Sequence, residues 1–506
     1  MSLDADLARH EATIQKLESA RNDLLRQLEE LDLKLLSEKA QYSQLRNHKV
    51  AIHALPNELL GLVFGLAHSS LRFDRPGHAD AQRLRFLVHT SWVCTRWRQV
   101  ILRTPLLWNT IAMTVFNGFE GYAPAQESLL AHLERSGDAY LDMDFFLATD
   151  DPKDFLPFFD IIGSHSKRWR RLSVEMQIAD IPIVRKVLQN LEVPKLEHFS
   201  LNIWETSEKG PFSPRTPYPT IAPQIFMKGA TDLCLLRLAG AALGSLHPQS
   251  TSIRILHVGG WEKSFFTWAQ FRSLLESLPS LENLSLHELC IRHNTRNPLD
   301  QPAPINLPNL RRLRLHSPFT PIDRILPLLS TPKLEQVSLR TFETFESPVM
   351  PTVTYLHLNE CAFDDVHYED LFASFPNIQH VSVDEYAYLL YNMLRHSLPP
   401  VNDATTAPNS NSNANSNSTT CPWSSLHTLT VRDLSSSEVN VFVEMVRQRK
   451  EAQVPIKTVR LDRRGRNVVR LKHKWDQLAE HTSVVSWDGA ESWPPGLGYE
   501  DPHDLV

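Results

Sequence analysis

The chain has 506 residues, more than one simple hydrophobic core accommodates, so two or more domains or one long repeat array are expected. Hydrophobic content of 42% and charged content of 22% are ordinary for a folded protein, and a net charge of −6 gives the whole molecule no electrostatic reason to seek nucleic acid or an anionic membrane. The five cysteines are scattered and never form a Cys-x-x-Cys pair, which speaks against a disulfide framework or a zinc site and for a reducing compartment.

The opening MSLDADLARHEATIQKL lacks the charged-then-apolar pattern of a signal peptide. No window approaches the roughly 18 apolar residues of a membrane span, so a cytoplasmic or nuclear protein is expected. Residues 3–48 contain no Gly or Pro and carry an apolar heptad. With Leu7, Ile14, Leu28, Leu35 and Tyr42 at position a, Leu17, Leu24, Leu31 and Leu45 fall at d, and His10, Arg21 and Glu38 are the polar exceptions. A period of 3.5 residues holds one stripe against a partner helix, the mark of a coiled coil, so a homodimer through residues 3–45 is expected. The alternative is a single solvated helix, or one folded back on its own protein.

Residues 51–115 read as a small helical module. Pro56 suits a first helical turn. Leu59, Leu60, Val63, Phe64 and Ala67 then recur at helical spacing, although Gly61 and Gly65 weaken the helix by roughly 1 kcal/mol each. The cover for this stripe is expected from Leu84, Leu87 and Val88, continuing through Val93, Trp97, Val100 and Ile101. Thr104 followed by Pro105 looks like a cap and a fresh helical start. That start brings Leu107, Trp108 and Ile111 into the same cluster. A unit this small buries little surface, so part of the stripe is expected to meet a partner.

From residue 116 to 490 the chain repeats the unit apolar-x-x-apolar-x-apolar, often led by Pro and one further residue. Examples are PKLEHFSL, PSLENLSL, PNLRRLRL, PKLEQVSL, PTVTYLHL and PNIQHVSV, with a degenerate first copy at Trp169, Leu172 and Val174. Most copies start about 19 to 30 residues apart, in the range of leucine-rich repeats. Helical patterns lie between them, at Phe265 to Leu278, before Pro376 and from Ser436. The Asn/Ser-rich insertion 401–420 lacks apolar side chains and reads as disordered. Trp487 and Trp493 are candidate caps, and 491–506 reads as a loose tail. The expected fold class is therefore α/β: a long N-terminal helix, a small all-α module, then an irregular leucine-rich-repeat-like solenoid.

In such units the leucines point inward and alternate residues line the opposite face of the strands. That face would carry Arg312, Arg314, Arg340, His357, Arg432 and Arg460, a basic strip suited to an acidic or phosphorylated target through bidentate arginine contacts. The alternative is that these arginines are solvated surface groups. No nucleophile elbow, phosphate loop, metal helix or dinucleotide fingerprint occurs, so neither catalysis nor a metal or cofactor is expected.

The start LPNELLGLVF, the centre VCTRWRQVI and the ending TPLLWNTI resemble the F-box motif, with its Leu-Pro-x-Glu, Val-Cys-x-x-Trp-Arg and Pro-x-x-Trp. Together with the heptad helix and the leucine-rich tail, the likeness is to the fungal F-box proteins. The resemblance implies the substrate-recognition subunit of an SCF-type cullin ubiquitin ligase. In it, Leu55, Pro56, Leu59, Leu60 and Phe64 would face a Skp-type adaptor, and Val93, Trp97 and Trp108 would join that contact or the module's own core. The repeats would choose the target. The competing expectation is an adaptor-independent repeat scaffold that self-associates through its N-terminal helix.

Overall fold

A computed structural model describes residues 3–487 except 48, 71–77, 117–121, 149–151, 178–180, 205–215, 218–222, 245, 249, 261–263, 288–290, 293–303, 317–321, 346, 385–386 and 397–421. The chain is mixed α/β, with a long N-terminal helix and a large parallel sheet, and divides into two compact units. One comprises Met1–Asn109 with Leu133–Gly137, the other Thr110–His132 with Asp138–Val506. The insertion 401–420, the tail 491–506, Trp493, Cys290 and Cys421 lie outside the described residues. Among those residues no helix is long and apolar enough to cross a membrane.

In the first unit, helix α1 runs Leu3–Asn47, as a Gly- and Pro-free stretch rich in Leu, Glu, Lys and Arg favours. Every described side chain from Leu3 to Arg46 is exposed. The helical module follows as α2 (Asn57–Ser70), α3 (His78–Ser91) and α4 (Thr95–Leu102), then a 3-10 turn at Pro105–Leu107. Leu60, Phe64, Leu87, Val100, Ile101, Leu107 and Trp108 form its core, with Ile52, Phe86 and Trp97 packed at the margin. The second segment thus covers α2, but as two helices broken at Cys94, whose extended backbone and Sγ cap α4 by accepting from the Trp97 N–H at 3.4 Å.

Two expectations for the module are corrected. Thr104 does not cap a third α-helix, because its hydroxyl donates back to the Val100 carbonyl at 2.6 Å and Pro105 opens only a single 3-10 turn. Ile111 does not join the module core. It lies in the first strand of the sheet, since Thr110–Phe116 alternates as a strand and pairs along its length with Leu141–Ala148. The sheet therefore begins earlier than residue 116.

Among the described residues, the second unit is built on a 14-stranded sheet whose neighbours follow chain order and are all parallel. Its strands are β1 (Thr110–Phe116), β2 (Leu141–Ala148), β3 (Trp169–Gln177), β4 (His198–Trp204), β5 (Leu235–Gly240), β6 (Ile255–Gly259) and β7 (Asn283–His287). They continue as β8 (Arg312–His316), β9 (Gln336–Arg340), β10 (Tyr355–Asn359), β11 (His380–Asp384), β12 (Thr428–Arg432), β13 (Thr458–Leu461) and β14 (Ser483–Ser486). The apolar residues of each Leu-x-x-Leu-x-Leu unit are buried, for instance Leu310, Leu313 and Leu315, or Leu334, Val337 and Leu339. Helices at Trp268–Glu276, Asp365–Ser374 and Val439–Glu451 match the helical patterns.

The recurrent Pro has a backbone reason. In Leu278-Pro-x-Leu281, Leu307-Pro-x-Leu310, Thr331-Pro-x-Leu334 and Met350-Pro-x-Val353 the last residue donates its N–H to the first residue's carbonyl at 3.1–3.2 Å. Proline thus occupies the second position of a β-turn, where its fixed φ is pre-set. Strand exits repeat as well: Thr341, Glu360 and Asp433 follow β9, β10 and β12 with φ of 57°, 52° and 49°. Gly240 ends β5 at φ 61°, where a Cβ would lie 2.1 Å from the Ile203 carbonyl oxygen, so no other residue fits.

Candidate functional site

The first candidate surface is on α2. Leu60 and Phe64 are 0% and 3% exposed, whereas Leu59, Leu62, Val63 and Leu66 are 47%, 61%, 43% and 71% exposed. The exposed set recurs at i, i+3, i+4 and i+7, so it forms one stripe along the helix. Leu60 and Phe64, expected to face a partner, are instead module core: the Phe64 ring meets Trp97 edge-on at 4.9 Å and both pack on the helices beneath. Leu55 is half-buried and Pro56 exposed, and the Pro56 carbonyl accepts the Leu60 N–H at 3.0 Å. Val93 is exposed beside an exposed Trp92, Trp97 is half-buried, and Trp108 is core, with its indole N–H donating to the Ile101 carbonyl at 2.8 Å.

One residue the sequence does not advertise fixes this surface. Arg96 donates to the carbonyls of His53 and Leu55 and, through Nε, to Asn57 Oδ1 at 3.0 Å. It ties α4 to the segment that starts α2, and so sets where the exposed stripe emerges. Leu62, Leu66, Trp92 and Leu106 were also missed; all are exposed apolar residues of the module. For Leu62 and Leu66, only the side on which α2 packs distinguishes them from core.

The second candidate surface is the sheet face opposite the leucines. Arg312, Arg314 and Arg340 lie on adjacent β8 and β9, Arg312 and Arg314 in register with Gln336 and Ser338. Arg312 donates to Gln336 Oε1 at 3.0 Å and to Asn283 Oδ1 at 3.2 Å, neutral partners that leave its charge uncompensated, and Arg340 pairs with Glu360 at 3.3 Å. His287 and His316 sit edge-on at 4.2 Å in the same region. Burial, reinforced by Arg314, Arg340 and Arg237, lowers the His287 pKa to about 4. Burial, then His287, Arg340 and Arg314, lowers that of His316 to about 3. Arg314 and Arg340 therefore project a positive field onto both neutral imidazoles, and Arg237 onto His287. Arg237 belongs to this set and sequence reasoning missed it, because it looks like one more alternate residue in LRLAG.

The other expected members do not extend the strip. His357 accepts at Nδ1 from the Ser338 hydroxyl at 3.1 Å and, with its proton on Nε2, donates to Asp384 Oδ2 at 3.1 Å. Arg432 donates to the same oxygen at 2.9 Å and lies over the Trp487 ring at 4.8 Å. Burial pushes the Asp384 carboxyl up, but its hydrogen bond with His357, together with Arg432, outweighs that and holds it below the usual carboxylate range. The strip is thus interrupted by an acid, and Arg460, on β13, lies beyond the break. Serine, histidine and aspartate here form a hydrogen-bonded chain across β9, β10 and β11. Ser338 is buried, and its strand is laddered on both sides, so the peptide N–H groups beside it are committed rather than aimed at a developing oxyanion.

Among the described residues, no group of three or more His, Cys, Asp or Glu side chains is placed to hold a metal ion. No protein-family model matches this sequence, and no curated protein matches it.

Proposed function

We propose that this chain is a non-catalytic substrate-recognition subunit of an SCF-type cullin ubiquitin ligase. Its module acts as an F-box that docks on a Skp-type adaptor, and its parallel-sheet unit acts as an irregular leucine-rich-repeat-like solenoid that binds the target. The observation that carries the reading is the stripe Leu59, Leu62, Val63 and Leu66, left exposed on a helix whose other side is anchored by Leu60 and Phe64. A helix-in-groove partner uses apolar anchors at this spacing. The motif residues quoted above support the same identity.

On this reading the ligase works by proximity: the adaptor joins the chain to the cullin, and the held target meets a ubiquitin-loaded enzyme at high effective concentration. The arginines around His287 and His316 suit an acidic or phosphorylated segment of that target. A cytoplasmic or nuclear site of action goes with this role. Co-expression with a Skp-type adaptor and a cullin tests it: both are expected to co-purify with the full chain. The double substitution Leu59→Asp/Leu66→Asp is expected to release both while the chain stays folded. The second reading, an adaptor-independent scaffold, is favoured by the exposed heptad seam of α1. It would stand if the folded wild-type chain captures no adaptor.

A further inference from the structure

We propose that α1 pairs with α1 of a second copy of this chain, antiparallel and in one fixed register, with Arg21 of each copy facing Glu38 of the other. The seam is wholly exposed, from Leu7 and Ile14 to Tyr42 and Leu45, so nothing in the described chain covers it. Antiparallel coiled coils set an a position of one helix opposite a d position of the other. Arg21 is at a and Glu38 at d. When they are aligned, Ile14 falls opposite Leu45 and Leu28 opposite Leu31, and every seam position from Ile14 to Leu45 has a counterpart, with no charge facing a leucine. The overlap is roughly 45 Å long.

Charge excludes the neighbouring arrangements. Sliding one heptad either way puts both Arg21 and Glu38 against apolar residues, where each loses hydration without gaining a partner. A parallel, in-register pair stacks Arg21 on Arg21 and Glu38 on Glu38. Its flanking positions bring Asp6 against Glu11 and Lys34 against Lys39, all like charges. In the antiparallel register the flanking contacts between two charged groups are instead Glu11 with Arg46 and Glu18 with Lys39, both attractive, while Asp32 flanks Leu25.

Light scattering and sedimentation of the full chain at low salt test the pairing. The wild-type chain is expected to be a dimer. Arg21→Glu or Glu38→Arg alone is expected to weaken it by roughly a hundredfold, and the double exchange Arg21→Glu/Glu38→Arg to restore it. A parallel dimer gains nothing from that exchange, since like still faces like. Near-ultraviolet circular dichroism of Trp97 and Trp108 separates dissociation from unfolding, because α1 contributes no side chain to the module core.

Zero-length carbodiimide coupling supplies a second readout, joining the Glu18 carboxylate to the Lys39 amine. These groups are roughly 30 Å apart along one straight helix, so their crosslink can arise only between antiparallel copies. A monomeric wild-type chain, a dimer indifferent to the single exchanges, or a dimer lacking the Glu18–Lys39 crosslink would overturn the proposal. So would an α1 occupied by a helix of a different protein. Adaptor capture by α2 is independent of all these outcomes.

Discussion

Gly61 and Gly65 lie about one turn apart on α2, yet a methyl group added to each meets different surroundings. At Gly61 a Cβ would sit 3.3 Å from Thr104 Oγ1, a hydroxyl held in place by its 2.6 Å bond to Val100. At Gly65 it would meet nothing within 4 Å. Gly65→Ala is therefore expected to stabilise the chain by up to about 1 kcal/mol, and Gly61→Ala to lose that gain to crowding; paired denaturant melts compare them. Arg96→Ala strips the donors from two carbonyls and Asn57, for a loss of about 1–3 kcal/mol, and is also expected to weaken adaptor capture because the start of α2 is freed. Equal stability and binding in this variant would mean that the tie is decorative. Nothing in the sequence marked Arg96: it fills an unspecified place in Val-Cys-x-x-Trp-Arg, and its partners are backbone carbonyls.

At the scale of elements, α2 is apolar on both sides, and the two sides do different work. Leu60→Ala opens the core and is expected to cost about 2–5 kcal/mol, whereas Val63→Asp lies on the exposed stripe and is expected to change stability little while abolishing adaptor binding. Melting curves beside pull-downs separate the two, and a large stability loss in Val63→Asp would mean that the stripe is structural. The spacing of Leu59 to Phe64 made the helix legible but could not say which leucines face inward, since Leu59, Leu62, Val63 and Leu66 on one side are as apolar as Leu60 and Phe64 on the other. The Pro-x-Leu units were legible for a different reason: turn and strand are both written locally. Strands β1 and β2 escaped notice because LDMDFFLA and TIAMTVF alternate well but lack the Pro-led turn. The polar face was legible as residues and not as partnerships. Asp384, from a different repeat, draws His357 and Arg432 out of the basic strip.

For the whole molecule, the lowered histidines make stability depend on pH. An unfolded chain takes protons on His287 and His316 near pH 6.5, while the folded chain refuses them down to about 4 and about 3. The contribution is intact above the unfolded value and falls as the pH drops through that window. The double variant His287→Gln/His316→Gln is expected to flatten the loss of stability between neutral and mildly acidic pH; an unchanged slope would place its origin elsewhere. An anion bound by the nearby arginines would raise both histidine pKa values, so near pH 4 to 5 binding of a phosphorylated peptide is expected to be accompanied by proton uptake, read by calorimetry in buffers of different ionisation heat. The most direct measurement of the docking role is a titration of the purified full chain with a purified Skp-type adaptor. Saturable binding is expected, removed by Val63→Asp and left intact by Arg314→Glu. Absence of binding by the folded wild-type chain, or binding that ignores Val63→Asp, would contradict it.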